Sequence, residues 1–451
     1  MRDLMIAGAV LLLFAFSLRS IYSAYLLWGW FGLIAVQDYL YGLMRGVPYV
    51  MVFATITLFL LLIGKDREMA SYKINGASVI MILYGAHCFM AALFAYSWLD
   101  RNWELCTNVL KTLLFCLIMP MVITRRYRFH ALLVMIVIGT SFHGLVEGLK
   151  FLVSGGGHKT LGVAKFGDNN HFALVLVMSM PLLLYLFQYS KYNIARICFG
   201  GVFFITCLAV VATASRGALV SLLAICAWLI LNSRRKMVYI LIALMAGGLI
   251  VSLAPDSWTE RMNTIENAGE DSSFMGRVIA WKRASAIALD HPVFGGGFHA
   301  GQDHLLFLQY NFNDGLLGFV STPGGTYAAA SHSIYFEVLG DLGFVGLFWF
   351  LFLMFYSFWL RGRIQVAAKK LGKQGNWARD CSDMLSASMI AYLVGGALLS
   401  AAYFELSYII VMIMQVLLLL VKKELSPISG IGASDIGQIH YPGLSGHGGR
   451  Y

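Results

Sequence analysis

The chain has 451 residues, 59% of them hydrophobic and 12% charged, with 33 Lys and Arg against 23 Asp and Glu and a net charge of +10. Its mean hydropathy is +0.73. A soluble domain carries about 25% charged residues, so the composition excludes a soluble enzyme and makes the bilayer the solvent for most of the chain.

Backbone polar groups in lipid need partners within their own segment, so the mass is expected to be α-helical. The alternating ten-residue pattern of an outer-membrane barrel is absent. The basic balance fits lysines and arginines gathered on cytoplasmic loops. No basic, aromatic-interleaved soluble domain supports nucleic-acid binding. The seven cysteines form no CxxC, and none lies in the long segment 254–333, so neither a disulfide framework nor a zinc site is signalled. Met1-Arg2-Asp3 leads into an apolar run without a small-x-small site after Ser17, which reads as an uncleaved first span.

Taken in chain order, the first 36 residues hold two short apolar runs split by Arg19, either one span with a half-helix or two spans. Further spans are expected near 47–64, 77–97, 107–123, 131–153, 171–189, 197–214, 217–232, 237–253, 334–360, 384–402 and 405–421. The fold class is therefore all-α: a polytopic transmembrane bundle of about 12 spans. Alternate loops hold Lys65, Arg67 and Lys73; Arg125, Arg126 and Arg128; Lys191 and Arg196; Arg234, Arg235 and Lys236; Arg361 to Arg379; and Lys422 and Lys423. This set is expected in the cytoplasm, which turns 98–106, 154–170 and 254–333 outward.

The organisation is then spans with short loops over 1–253, one large outer loop over 254–333, C-terminal spans over 334–423 and a Gly/Ser-rich tail over 424–451, read as disordered. The outer loop should contain an amphipathic helix from Phe274 to Leu289, ended by His291-Pro292 and Gly295-Gly296-Gly297. Its aromatic and aliphatic content suggests that it lies on the membrane surface.

Three stations on the outer side carry chemistry. Ser215-Arg216-Gly217 puts an arginine in a tight turn between two spans, where a buried charge is costly. Gly276-Arg277 stands at the head of the loop helix, where backbone amides favour an anion and the guanidinium adds a charged fork. Arg261, Lys282 and Arg283 add positive charge to the same loop. Ser331-His332-Ser333 stands where the chain re-enters the membrane, and a histidine there can accept a proton near neutral pH.

Each station has a plainer alternative. The arginines could snorkel to headgroups or be solvated, and the histidine could cap the next helix. Glu337 and Asp341 follow within an apolar stretch; Glu337 could orient His332 or pair with an arginine. Lys165, Asp168, Asn169, Asn170 and His171 form a polar segment, read first as a loop with a helix cap. Glu147 and Lys150, three residues apart, should form an ion pair within their span. Two arginines suit phosphate oxygens in a bidentate grip, and a diphosphate on a lipid carrier sits at this same interface.

The ordered set of motifs resembles the O-antigen ligase family. Thr213-Ala214-Ser215-Arg216-Gly217-Ala218-Leu219 is similar to its Ser-Arg-Gly signature. Gly276-Arg277 through Trp281, then His291-Pro292-Val293-Phe294-Gly295-Gly296-Gly297, is similar to its Gly-Arg…Trp…Pro-x-x-Gly-x-Gly loop. Ser331-His332-Ser333-Ile334-Tyr335, then Gly340-Asp341-Leu342-Gly343-Phe344-Val345-Gly346-Leu347, is similar to its His-Asn/Ser…Gly-x-x-Gly pattern. Met1-Arg2-Asp3-Leu4 and the run Pro255 to Ile265 resemble the exosortase-A-associated O-glycosylation ligases.

The resemblance implies a glycosyltransferase of the bacterial inner membrane with its active site facing the periplasm. It would move a preassembled glycan from undecaprenyl diphosphate to an acceptor hydroxyl, on lipid A-core oligosaccharide or another exported acceptor, without nucleotide, metal or cofactor. By motif, Arg216 and Arg277 would engage the diphosphate and His332 would activate the acceptor. Arg261, Lys282, Asn169 and Asn170 would add to the donor or glycan site, with Glu337 and Asp341 in support. The resemblance also leaves open a protein O-glycosylation ligase or an O-antigen polymerase of the same superfamily; the residues by themselves leave open a transporter, which would show charges near the midplane and matched halves, and a non-catalytic scaffold.

Overall fold

The computed structural model describes residues 2–40, 42–64, 70–71, 73–97, 99–162, 166–233, 235–253, 272–310, 316–320 and 329–429. Of the residues and stretches singled out above, Met1, Lys65, Arg67, Lys165, Arg234, Arg261, the run 255–265 and residues 430–451 of the tail lie outside the described residues; the tail's first residues, 424–429, are helical and not, as expected, disordered. The regular elements of the described residues are all helices, with no β-strand among them. The chain is an all-α polytopic membrane protein.

Two short helices occupy the start, α1 (Arg2–Ser17) and α2 (Ile21–Ile34). Arg19 falls in the break between them. Ser20 caps α2 by accepting the Ser23 amide at 3.1 Å, a reason for the helix to restart there. After a single turn, α3 (Gly42–Arg45), come α4 (Tyr49–Ile63), α5 (Gly76–Leu93), α6 (Arg101–Val122), α7 (Arg126–Val153), α8 (Asn169–Tyr189), α9 (Asn193–Ala212), α10 (Arg216–Asn232) and α11 (Lys236–Leu253). The long segment before residue 334, called the outer segment after its expected orientation, contributes α12 (Ser272–Asp290) and the short α13 (His304–Gln309). Three helices close the bundle: α14 (Ile334–Lys370), α15 (Asn376–Gly395) and α16 (Glu405–Ser429).

Among the described residues, eight helical segments are long and apolar enough to cross a bilayer, and five apolar ones are shorter. Each expected span from 47 onward corresponds to one helix. The expected amphipathic helix of the outer loop is α12.

The most buried helices are α8, α15 and α16. Lipid tails are as apolar as leucine, so helices associate in a membrane by close packing and interhelical hydrogen bonds. Both are visible here. Gly148 of α7 lies against the backbone of Ile205 in α9, and Gly395 of α15 lies against the Ser221 side chain of α10. The Ser388 hydroxyl of α15 donates to the Met178 carbonyl of α8 at 2.7 Å, and the Tyr84 and Tyr408 hydroxyls meet at 3.2 Å.

One end of the bundle is basic and tied by polar contacts. Tyr189 donates to Asp380 at 2.6 Å, Arg361 meets Asp383 at 2.7 Å, and the Arg126 guanidinium lies over the Trp377 ring. At the other end the outer segment meets α5, α6 and α14, and all three motifs lie at that end.

The outer segment is fixed to the bundle by main chain. Gly295 and Gly297 have positive φ values, +65° and +92°, so the chain coils tightly after α12. The Gly296 and Gly297 amides donate to the Gly340 and Asp341 carbonyls at 2.9 and 3.0 Å, and the Phe344 amide donates to Pro292 at 2.9 Å. Those acceptors are available because α14 is broken at Gly343, with φ +70° and ψ −172°. A Cβ on Gly295 would come within 2.6 Å of the Asp341 backbone, and one on Gly343 within 2.7 Å of the Pro292 carbonyl. Glycines at both positions thus let two backbones touch.

Candidate functional site

The Arg216 station is a turn with unusual geometry. α9 ends at Ala212, Ala214 takes a left-handed φ of +47°, and Ser215 opens α10 as its N-cap, accepting the Ala218 amide at 3.3 Å. Arg216 is then the first residue of α10 and half-buried. A cation at a helix N-terminus is opposed by the macrodipole. Helix stability therefore does not account for this arginine, whereas an anion shared with the helix start would.

Asn169 and Asn170 reach this turn from α8. Asn169 Nδ2 donates to the Thr213 carbonyl at 2.8 Å, and the Ser215 hydroxyl donates to Asn170 Oδ1 at 2.8 Å. Asp168 caps α8 by accepting the Asn170 and His171 amides at 2.7 and 2.9 Å. The polar segment is thus a helix cap, as its plainer reading holds, and it is also the buttress of the Arg216 turn.

Arg277 and Trp281 are four residues apart on α12 and so share a face. The Trp281 indole N–H donates to the Ser331 carbonyl at 2.7 Å, and the ring stacks on Phe336 with centroids 5.1 Å apart. Arg277 is brought by that register to His332, whose ring feels both its guanidinium and the Asp168 carboxylate.

His332 takes a left-handed φ of +44° just before α14. That conformation costs on the order of 1–3 kcal/mol outside glycine. Its amide donates to Ser400 Oγ at 2.8 Å, and the side chain keeps solvent access. Partial burial of the ring, and then Arg277, hold its pKa below the ordinary 6.5, against Asp168, which acts in the opposite sense. The imidazole is consequently neutral at pH 7 and able to accept a proton.

Other candidates sit differently. Lys282 is 2% exposed and gives its ammonium to the Val320 carbonyl; Arg283 is equally buried, donates to Gly301 at 3.0 Å and covers the Phe307 ring. These two cations organise the outer segment. Glu337 is turned to the main chain, where Oε2 accepts the Ala402 amide at 3.0 Å; among the described residues no hydrogen bond joins it to His332 and no ion pair joins it to an arginine. Asp341 is 4% exposed and accepts the Tyr403 hydroxyl at 3.0 Å. Both side chains thus tie the first turns of α14 to the stretch around Ala402 and Tyr403. The expected ion pair of Glu147 and Lys150 is present at 2.6 Å.

Sequence reasoning missed the segment 396–404. It was read as the end of a span near 384–402. The helix instead stops at Gly395, a short 3-10 turn follows, and an irregular stretch supplies Ser400, Ala402 and Tyr403 to the site. Adjacent Gly395 and Gly396 were the available signal.

Fold and site together define a polytopic membrane protein with a cationic, histidine-bearing cluster at one end of its bundle. Residues 201–351, which hold all three motifs, match the family model described as O-antigen ligase. Over that segment the chain is similar to the O-antigen ligase family, and its helices make it a multi-pass membrane protein. Residues 1–191, including Asp168 to Asn170, match a second model, a family of unknown function (DUF5935). No curated protein matches the chain.

Proposed function

We propose that the protein transfers a preassembled glycan from undecaprenyl diphosphate to an acceptor hydroxyl at the periplasmic face of a bacterial inner membrane. Arg216 and Arg277 hold the diphosphate, and His332 is the general base. The acceptor oxygen attacks the anomeric carbon as the bond from that carbon to the phosphate oxygen breaks. His332 takes the hydroxyl proton, undecaprenyl diphosphate departs, and the anomeric configuration inverts. Charge developing on the leaving diphosphate is met by the guanidiniums, so no metal is required. Proton removal by a placed base contributes roughly 10²–10⁴ in rate.

The observation that carries this reading is the neighbourhood of His332. A half-buried Arg277 acts on its ring, and Asp168, the residue before the Asn169–Asn170 buttress of the Arg216 turn, acts on the same ring. Lipid A-core oligosaccharide is the first acceptor to test.

The test is transfer by purified protein in detergent, with undecaprenyl-diphosphate glycan, lipid A-core and EDTA. Product is expected from the wild type and not from Arg216→Ala, Arg277→Ala or His332→Ala. Full activity in all three folded variants overturns the mechanism. Transfer only to a secreted protein, or to a second lipid-linked glycan, moves the protein to the O-glycosylation or polymerase branch.

A further inference from the structure

Glu147 is an acid that the mechanism above does not use, 6% exposed within α7. An ionised carboxylate at such a depth is costly unless it is fully engaged. This one is. Oε1 accepts the Lys150 ammonium at 2.6 Å, while Oε2 accepts from His158 Nε2 at 2.7 Å and from the Thr160 hydroxyl at 3.1 Å. Two of the three partners come from the loop after α7. That loop is folded back on itself, with the His158 amide donating to Ser154 Oγ at 2.8 Å.

The contact continues toward the site. The Thr160 amide donates to the Ala212 carbonyl at 3.0 Å. Ala212 is the last residue of α9, and the Arg216 turn starts at Thr213. Asn169 takes the Thr213 carbonyl from the other side, and Asn170 takes the Ser215 hydroxyl. The turn is therefore clamped between two polar segments. One is built on the Asp168 cap, and the other is built on Glu147. α7 and α9 also pack closely beside this clamp, with Gly148 of α7 directly against the Ile205 backbone of α9.

We infer that Glu147 is a positioning residue for donor binding: through His158 and Thr160 it fixes the α9–α10 turn and so aims Arg216. The inference rests on the proposed role of Arg216 as a diphosphate ligand. Lys150, whose side chain is about half exposed, completes the carboxylate's partners at the rim. Glu147 touches neither glycan nor diphosphate. Its removal should weaken the grip on the donor without altering proton transfer at His332.

The experiment compares wild type, Glu147→Gln, Glu147→Asp, Thr160→Val and Arg216→Ala as purified full-length proteins. It measures donor KM, acceptor KM, kcat and thermal unfolding in detergent. Glu147→Gln keeps the shape and removes the charge. It is expected to raise donor KM about tenfold or more, the scale of a lost charge-assisted hydrogen bond. Acceptor KM and the pH profile should stay unchanged. Glu147→Asp should recover part of the loss.

Thr160→Val, which removes one hydroxyl, should fold normally and raise donor KM to a smaller degree. An unchanged donor KM in both Glu147→Gln and Thr160→Val, alongside an inactive Arg216→Ala, overturns the inference alone. A rise in both KM values that follows a falling melting temperature also overturns it, because the role is then only structural. A fully active Arg216→Ala overturns the donor-binding reading beneath it.

Discussion

The Trp281 indole reaches across to the carbonyl of Ser331, 2.7 Å away, and so joins the helix that carries Arg277 to the residue before His332. One hydrogen bond sets the spacing between a cation and a base that are 55 residues apart in sequence. Trp281→Phe keeps the stacking on Phe336 and removes the bond. A net loss of about 1 kcal/mol corresponds to roughly fivefold in rate. The expected outcome is a kcat lower by that factor with little change in melting temperature. An unchanged kcat sinks the idea that this contact sets the geometry.

The acid limb of the pH–rate profile should report His332. Its pKa lies below 6.5, so the neutral base dominates at pH 7 and is lost as pH falls through that lowered value. Transfer should be flat near neutrality and decline only below pH 6.5. Asp168 favours the protonated ring. Asp168→Asn, which retains an N-cap side chain, should therefore move the acid limb to lower pH. Measurement of kcat/KM against pH decides it, and a limb that moves upward contradicts the arrangement.

Ser400 holds the His332 backbone in its left-handed conformation. Ser400→Ala leaves that exposed amide without this acceptor, at a net cost of about 0.5–1.5 kcal/mol. We expect kcat to fall while donor KM is retained, since the arginines are not moved. Steady-state kinetics with varied donor separates the two, and a change confined to donor KM would count against a role at His332.

Gly295→Ala should be among the most destabilising single changes in the outer segment. Alanine at φ +65° pays a left-handed penalty of about 1–2 kcal/mol. Its Cβ would also meet the Asp341 backbone at 2.6 Å, which cannot give way as a flexible side chain can. Thermal unfolding in detergent should show a clear drop, with activity lost in parallel. A variant of wild-type stability would mean that the segment is not locked to α14.

Much of this was readable from sequence because membrane helices obey strong local rules. Apolar runs of about 20 residues and basic loops located the helices, and the i,i+3 spacing gave the Glu147–Lys150 pair. Two of the stations were visible as polar interruptions at span ends, and the third as a Gly-Arg pair at the head of the loop helix. The connections between them were not. The bonds from Asn169 and Asn170 to the Thr213–Ser215 turn, and from Ser400 to His332, join distant residues and leave no periodic trace. Lys282 looked like a phosphate ligand by charge alone. Its burial against the Val320 carbonyl depends on how the outer segment folds, which composition does not encode. The break at Gly395 was masked by the apolar residues that follow it.

The main-chain lock between Pro292–Gly297 and Gly340–Phe344 has a bearing on how such enzymes can be recombined. The outer segment and the start of α14 share hydrogen bonds that belong to neither alone. An exchange of outer segments between related ligases that stops at residue 333 would cut through this seam, leaving the incoming glycines against a foreign kink. Carrying the crossover beyond Phe344 keeps both halves of the joint from one parent, so the main chain that runs from His332 into α14 is carried over whole.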